Sequence, residues 1–102
     1  MHTETVRLVT IVAESAVVES LLGGLRRLRV SGYTLTDARG EGSRGMRVGE
    51  IPGDNRKIEV LVGAEVAEQI LDLLESQYFP NYAVVAWVSE VIVARRAKYA
   101  ST

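Results

Sequence analysis

The chain has 102 residues, 47% of them hydrophobic and 25% charged, with a formal net charge of −1. That is the composition of one globular domain, and folding at this length removes about two-thirds of the unfolded surface from water, enough for a single core. Having no cysteine and one histidine, His2, the chain offers no disulfide framework, no thiolate or histidine metal cluster, and no cysteine or Ser-His nucleophile.

Val6 to Val12 is short and rich in β-branched residues, which predicts a buried strand. Ser15 is the expected N-cap of the helix that follows, in which Val18, Leu21, Leu22, Leu25 and Leu28 recur at helical spacing. Gly23 and Gly24 weaken this helix by roughly 2 kcal/mol relative to alanine, a concession that a closely approaching neighbour would explain. Ser31-Gly32 is the expected helix end. Tyr33 to Arg39 alternates as a second strand. Gly40 to Arg56 has little apolar periodicity and holds five of the nine glycines, so it reads as a loop longer than compact domains usually carry without a functional reason. Lys57 to Val62 is a third strand with Ile58, Val60 and Val62 on one face. Ala64 to Tyr78 is an amphipathic helix with Val66, Ala67, Ile70, Leu71, Leu74 and Tyr78 as its apolar stripe; Pro80 prevents its continuation. Tyr82 to Ala94 is a long fourth strand, broken in character at Ser89-Glu90.

The order is βαβ, loop, βαβ, which predicts an α+β domain of ferredoxin-like βαββαβ plan: a four-stranded antiparallel sheet with two helices on one face. The last strand is apolar on both faces, so the bare faces of several sheets are expected to turn inward in a closed homo-oligomer. No apolar run approaches the roughly 20 residues of a membrane span, and no basic start precedes an apolar stretch as in a secretory signal. A cytoplasmic location is expected.

Charge is unevenly placed. Residues 39–57 carry a net +2, and Arg95, Arg96 and Lys98 add +3, while the remainder is acidic; this suits a small anion better than a polyanion. Gly40-Glu41-Gly42-Ser43-Arg44-Gly45 matches G-x-G-x-x-G, but Gly49, Pro52 and Gly53 follow where a dinucleotide fingerprint needs a helix. Ser43, Arg44 and Arg47 instead place a hydroxyl and two guanidiniums beside bare backbone amides, a set that suits phosphate or carboxylate; the alternative is a solvated loop. Glu65, Glu68, Asp72 and Glu75 form the outer face of a helix rather than a catalytic pair. Domains that bind RNA with this element order stack bases on third-strand aromatics. Lys57 to Val62 has none, so no nucleic acid partner is expected.

Gly32-Tyr33-Thr34-Leu35-Thr36-Asp37, followed by Gly40 and Gly42, resembles the G-x-T-V-T-E/D…G-x-G stretch of PII-type signalling proteins. Gly40, Gly42, Ser43, Arg44 and Arg47 resemble the G-x-G-S-R-x-x-R hallmark of the PII-like branch tied to inorganic carbon uptake, the SbtB and carboxysome-associated PII (CPII) proteins. Tyr78-Phe79-x-x-Tyr82-Ala83 is similar to that branch as well.

The resemblance implies a trimer of single domains (residues 1–102), each with a mobile T-loop at about 40–56, and adenine nucleotide in the clefts between subunits. Thr34, Gly40 and Gly42 would approach adenine and ribose. Ser43, Arg44, Arg47 and Arg95 would hold phosphate, and Ser43, Arg44 and Arg47 bicarbonate. The lysine-bearing loop that grips a triphosphate in the nitrogen-sensing branch has no counterpart at Tyr78 to Ala83, so ADP or AMP is expected rather than ATP. No enzymatic activity, metal or membrane insertion is implied. The expected partner is a bicarbonate transporter or carboxysome component, met in the cytoplasm or at the carboxysome. A CutA-like trimer on the same fold, binding no nucleotide, is the alternative.

Overall fold

The computed structural model describes residues 1–39 and 54–95. In chain order they form β1 (Thr3–Glu14), a 3-10 turn (Ser15–Val17), α1 (Val18–Arg27), β2 (Thr34–Ala38), β3 (Asn55–Val62), α2 (Ala64–Gln77) and β4 (Val84–Ala94). The strands make one sheet ordered β2-β3-β1-β4, antiparallel at every neighbouring pair. This is the expected ferredoxin-like plan.

Register assigns the faces. Val9 lies opposite Val60 and Val88, and Ile11 opposite Ile58 and Ala86. These residues share one face, and with the exception of Val88 they pack with Leu21, Leu22 and Leu25 of α1 and Ala67, Ile70 and Leu74 of α2 in a single cluster. Both helices therefore cover the same face. Side chains alternate along a strand, so Val6, Leu8, Thr10 and Val12 of β1 and Val85, Trp87, Val91 and Val93 of β4 belong to the opposite face, which carries no helix. Val85 and Trp87 are 53% and 48% exposed there. That is the uncovered apolar surface the composition of β4 foretold.

Several boundaries differ from the sequence reading. β1 runs through polar Thr3 to Thr5 and on to Glu14, because as an interior strand it is paired by β3 or β4 wherever either continues. β4 is continuous across Ser89-Glu90. Asn55 and Arg56 belong to β3 rather than to the loop expected at 40–56; of the rest of that loop Asp54 is described and 40–53 lies outside the described residues, as do Arg96 and Lys98.

Ser15 is not a helix cap. It opens the 3-10 turn, and its hydroxyl donates to Asp54 Oδ2 at 2.8 Å. α1 ends at Arg27, short of the end expected at Ser31-Gly32. Arg29 takes φ 64°, its N–H donates to the Arg26 carbonyl at 2.9 Å, and the Val30 N–H donates to the Leu25 carbonyl at 3.3 Å. This pair is a Schellman closure, here with arginine where glycine is the usual left-handed residue.

Leu73, not Leu71, joins the core from α2, and it explains one of the paired glycines. A Cβ on Gly24 would sit 2.8 Å from Leu73 Cδ2, whereas one on Gly23 would meet only the flexible Arg27 guanidinium at 3.7 Å. The close neighbour is thus a side chain, and it constrains Gly24 alone. Gly23→Ala is expected to stabilise the protein by about 0.5–1 kcal/mol through helix propensity, whereas Gly24→Ala gains less or destabilises because Leu73 must move. Urea unfolding of the two variants measures the difference.

Candidate functional site

On the helix-free face the register sets four residues in one row across the sheet: Thr34 of β2, Glu59 of β3, Thr10 of β1 and Trp87 of β4. Thr10 is buried at its centre, while Thr34 and Trp87 are exposed at its two ends. The β2 end of the row opens into a recess of about 240 Å³ lined by Gly32, Tyr33, Thr34, Glu59 and Leu61.

The chemistry of that recess is mixed in a useful way. The Thr34 hydroxyl both donates and accepts, an ionised Glu59 carboxylate only accepts, and Leu61 supplies an apolar flank. A small planar ligand with an amino donor meets both requirements of a binding recess, apolar contact and a few directed polar groups. Glu59 also has Lys57 at 3.9 Å along the same strand face. Glu59 and Leu61 were missed in the sequence, although the alternation that aims Ile58, Val60 and Val62 at the helices also aims them at Thr34's face.

Arg95 is exposed just beyond the end of β4, where Ala94 pairs with Thr3. It is engaged in an interaction within the protomer. Because β2 and β4 are the two edges of the sheet, Thr34 and Arg95 are separated by three inter-strand steps of roughly 4.8 Å each. One protomer does not bring them together on a small ligand. Gly40, Gly42, Ser43, Arg44 and Arg47 lie outside the described residues, so their placement relative to the recess is not part of the described geometry.

Three connections of the fold converge at the other end of the sheet. The Glu14 carboxylate accepts from the Ala83 N–H at 2.7 Å, and the Glu14 N–H donates to the Ala83 carbonyl at 3.2 Å, joining the end of β1 to the α2–β4 turn. Ser15, next in the chain, holds Asp54 ahead of β3. In the turn itself, buried Tyr78 shares a 2.6 Å hydrogen bond with Ser20 of α1, and its ring lies 6.0 Å from that of Tyr82. Tyr78 to Ala83 is thus a turn held at its two ends, from α1 and from β1. Among the described residues there is no group of three or more His, Cys, Asp or Glu able to hold a metal ion, and no helix long and apolar enough to cross a membrane.

The family model described as nitrogen regulatory protein P-II matches residues 6–98. Among solved structures, the chain is 48% identical to one from Thermus thermophilus described as a PII-like signalling protein, with TM-score 0.83 over 97% of this chain and 99% of that one. It is 25% identical to CPII from Thiomonas intermedia bound to ADP, AMP and bicarbonate, with TM-score 0.80 over 92% of this chain and 98% of that one. A further CPII structure, bound to ADP and bicarbonate, is 26% identical with TM-score 0.80 over 92% and 93% of the two chains. No curated protein matches.

The Ser20–Tyr78 contact is the part of this framework most open to direct measurement. Tyr78→Phe is expected to lower the unfolding free energy by about 1 kcal/mol, and by much less in a Ser20→Ala background. A urea double-mutant cycle reads the coupling.

Proposed function

The chain belongs to the nitrogen regulatory protein P-II family, and from that premise we propose that it is a signalling protein, not an enzyme, that binds ADP or AMP between subunits of a homotrimer. Members of the family form trimers and bind adenine nucleotides. The observation that carries the reading for this chain is the division of its candidate ligand groups between the two edges of one sheet. Thr34 and its recess lie at the β2 edge and Arg95 beyond the β4 edge, so a ligand that needs both takes them from two protomers. The apolar face between those edges gives the protomers a reason to associate.

In the proposed arrangement the recess at Thr34, Glu59 and Leu61 takes the adenine, with Gly40 and Gly42 following the ribose. Ser43, Arg44 and Arg47, with Arg95 of a neighbouring subunit, take the phosphates. Bicarbonate is the second ligand, held by the same Ser43, Arg44 and Arg47. The CPII structures support this pairing, since that protein is found with ADP and bicarbonate together.

The energetics favour two ligands over one. Fixing a backbone residue costs about 1–2 kcal/mol, and a hydrogen bond to a charged group returns about 1.5–3 kcal/mol. One ion pair does not fix a connection the length of 40–53. Several donors converging on a phosphate and a second anion can fix its base, and the surface so formed is what a partner in the cytoplasm would read. That partner is a bicarbonate transporter or a carboxysome component, and the output is control of inorganic carbon uptake.

Linkage makes the proposal testable in one cell: if bicarbonate tightens ADP binding, ADP tightens bicarbonate binding by the same factor. Calorimetric titration of ADP with and without bicarbonate is expected to show tighter binding with it. Arg44→Glu is expected to abolish ADP binding and leave the oligomer intact. A variant that still binds as the wild type does would move the phosphate site elsewhere.

A further inference from the structure

We infer that Arg56 is a positioning residue that staples together the two roots of the 40–53 connection, and that Glu14 and Ser15 tie this staple to the α2–β4 turn. The inference deepens the nucleotide reading, on which its consequence for affinity rests.

Asp37 and Arg56 are directly opposite in the β2–β3 ladder, and only one further pair, Ala38 with Asn55, separates them from the connection. Arg56 Nε lies 3.2 Å from Asp37 Oδ1, on the strand leading into the connection. Its Nη1 lies 3.7 Å from Asp54 Oδ1, just ahead of the strand leading out, and donates to the Asn55 carbonyl at 3.1 Å. Asp54 is held on its other side, where Oδ2 accepts from the Ser15 hydroxyl at 2.8 Å and its carbonyl accepts the Ser15 N–H at 3.3 Å. Glu14, the adjacent residue, grips Ala83 through both its carboxylate and its backbone. A single guanidinium therefore joins both roots, and two consecutive residues of β1 and its turn fix those roots to the turn before β4.

An isolated exposed ion pair contributes little, but this is a network. Arg56 is two-thirds buried and engages three acceptors, a task suited to the fixed fork of a guanidinium. Without it, Asp37 and Asp54 lose the cation that both of them contact. The last two rungs of an edge ladder then fray, and each residue released must be fixed again when the ligand binds. None of Asp37, Asp54 and Arg56 belongs to the buried core, so global stability changes little.

The test uses the full chain with Arg56→Gln, and with Asp37→Asn as an independent second variant. In ligand-free protein, amide hydrogen exchange at Ala38 and Asn55 is expected to quicken about tenfold, with Val60 unchanged. ADP affinity is expected to fall about fivefold, with Arg56→Lys intermediate and the melting temperature close to that of the wild type. Exchange equal to the wild type in both variants overturns the staple. Faster exchange with unaltered ADP affinity also overturns the inference, since the staple would then position nothing. If the wild type takes up no ADP, the nucleotide reading falls and the exchange result alone upholds or overturns the staple.

Discussion

A four-stranded sheet has two faces, and two helices can cover only one of them. In this protein the covered face takes Val9, Ile11, Ile58, Val60 and Val62 against α1 and α2. The other face keeps Val6, Leu8, Val12, Val85, Trp87 and Val91 without a helix. The rest of the molecule follows from that asymmetry. An apolar face with no layer of its own is a contact surface, and a contact surface on a sheet brings sheet edges of different protomers near one another. In the proposed trimer, residues at opposite edges of one sheet then become neighbours.

The proposed arrangement would let a small domain bind a charged ligand at its surface. No buried side-chain nitrogen or oxygen among the described residues lacks a partner. A site assembled between protomers avoids placing a charge in a core too small to solvate it. In the proposed arrangement it also couples ligand to assembly, because each ligand would bridge subunits.

The element order was legible in the sequence because each element has a strong local period, and order alone led to the ferredoxin-like sheet. The apolar excess of β4 likewise announced an uncovered face. Most of what escaped was set by contacts between residues far apart in the chain. Ser15 carries the signature of a helix cap, yet its hydroxyl is taken by Asp54, 39 residues away. Gly32 looks like a helix terminator, but the backbone closes on Arg29 through a local Schellman pair that needs no glycine. Leu71 fits the stripe of α2 by spacing, while Leu73 reaches the core because Gly24 leaves room for it. Thr34 and Arg95 were marked as candidates by resemblance, but their places on opposite edges depend on strand order. Glu59 was overlooked because one acidic residue in an apolar strand looks like ordinary alternation until its register partner, Thr34, is known.

The claim on which the account turns is that nucleotide binding and assembly through the open sheet face are one event. Sedimentation equilibrium combined with ADP titration of Trp87→Glu tests it directly, since the substitution puts a charge at the exposed end of the row that runs from Thr34. The account predicts a trimeric wild type that binds ADP, and a variant that sediments as a single folded chain and has lost ADP binding. A monomeric wild type, or a monomeric variant that binds ADP as tightly as the wild type, would contradict it.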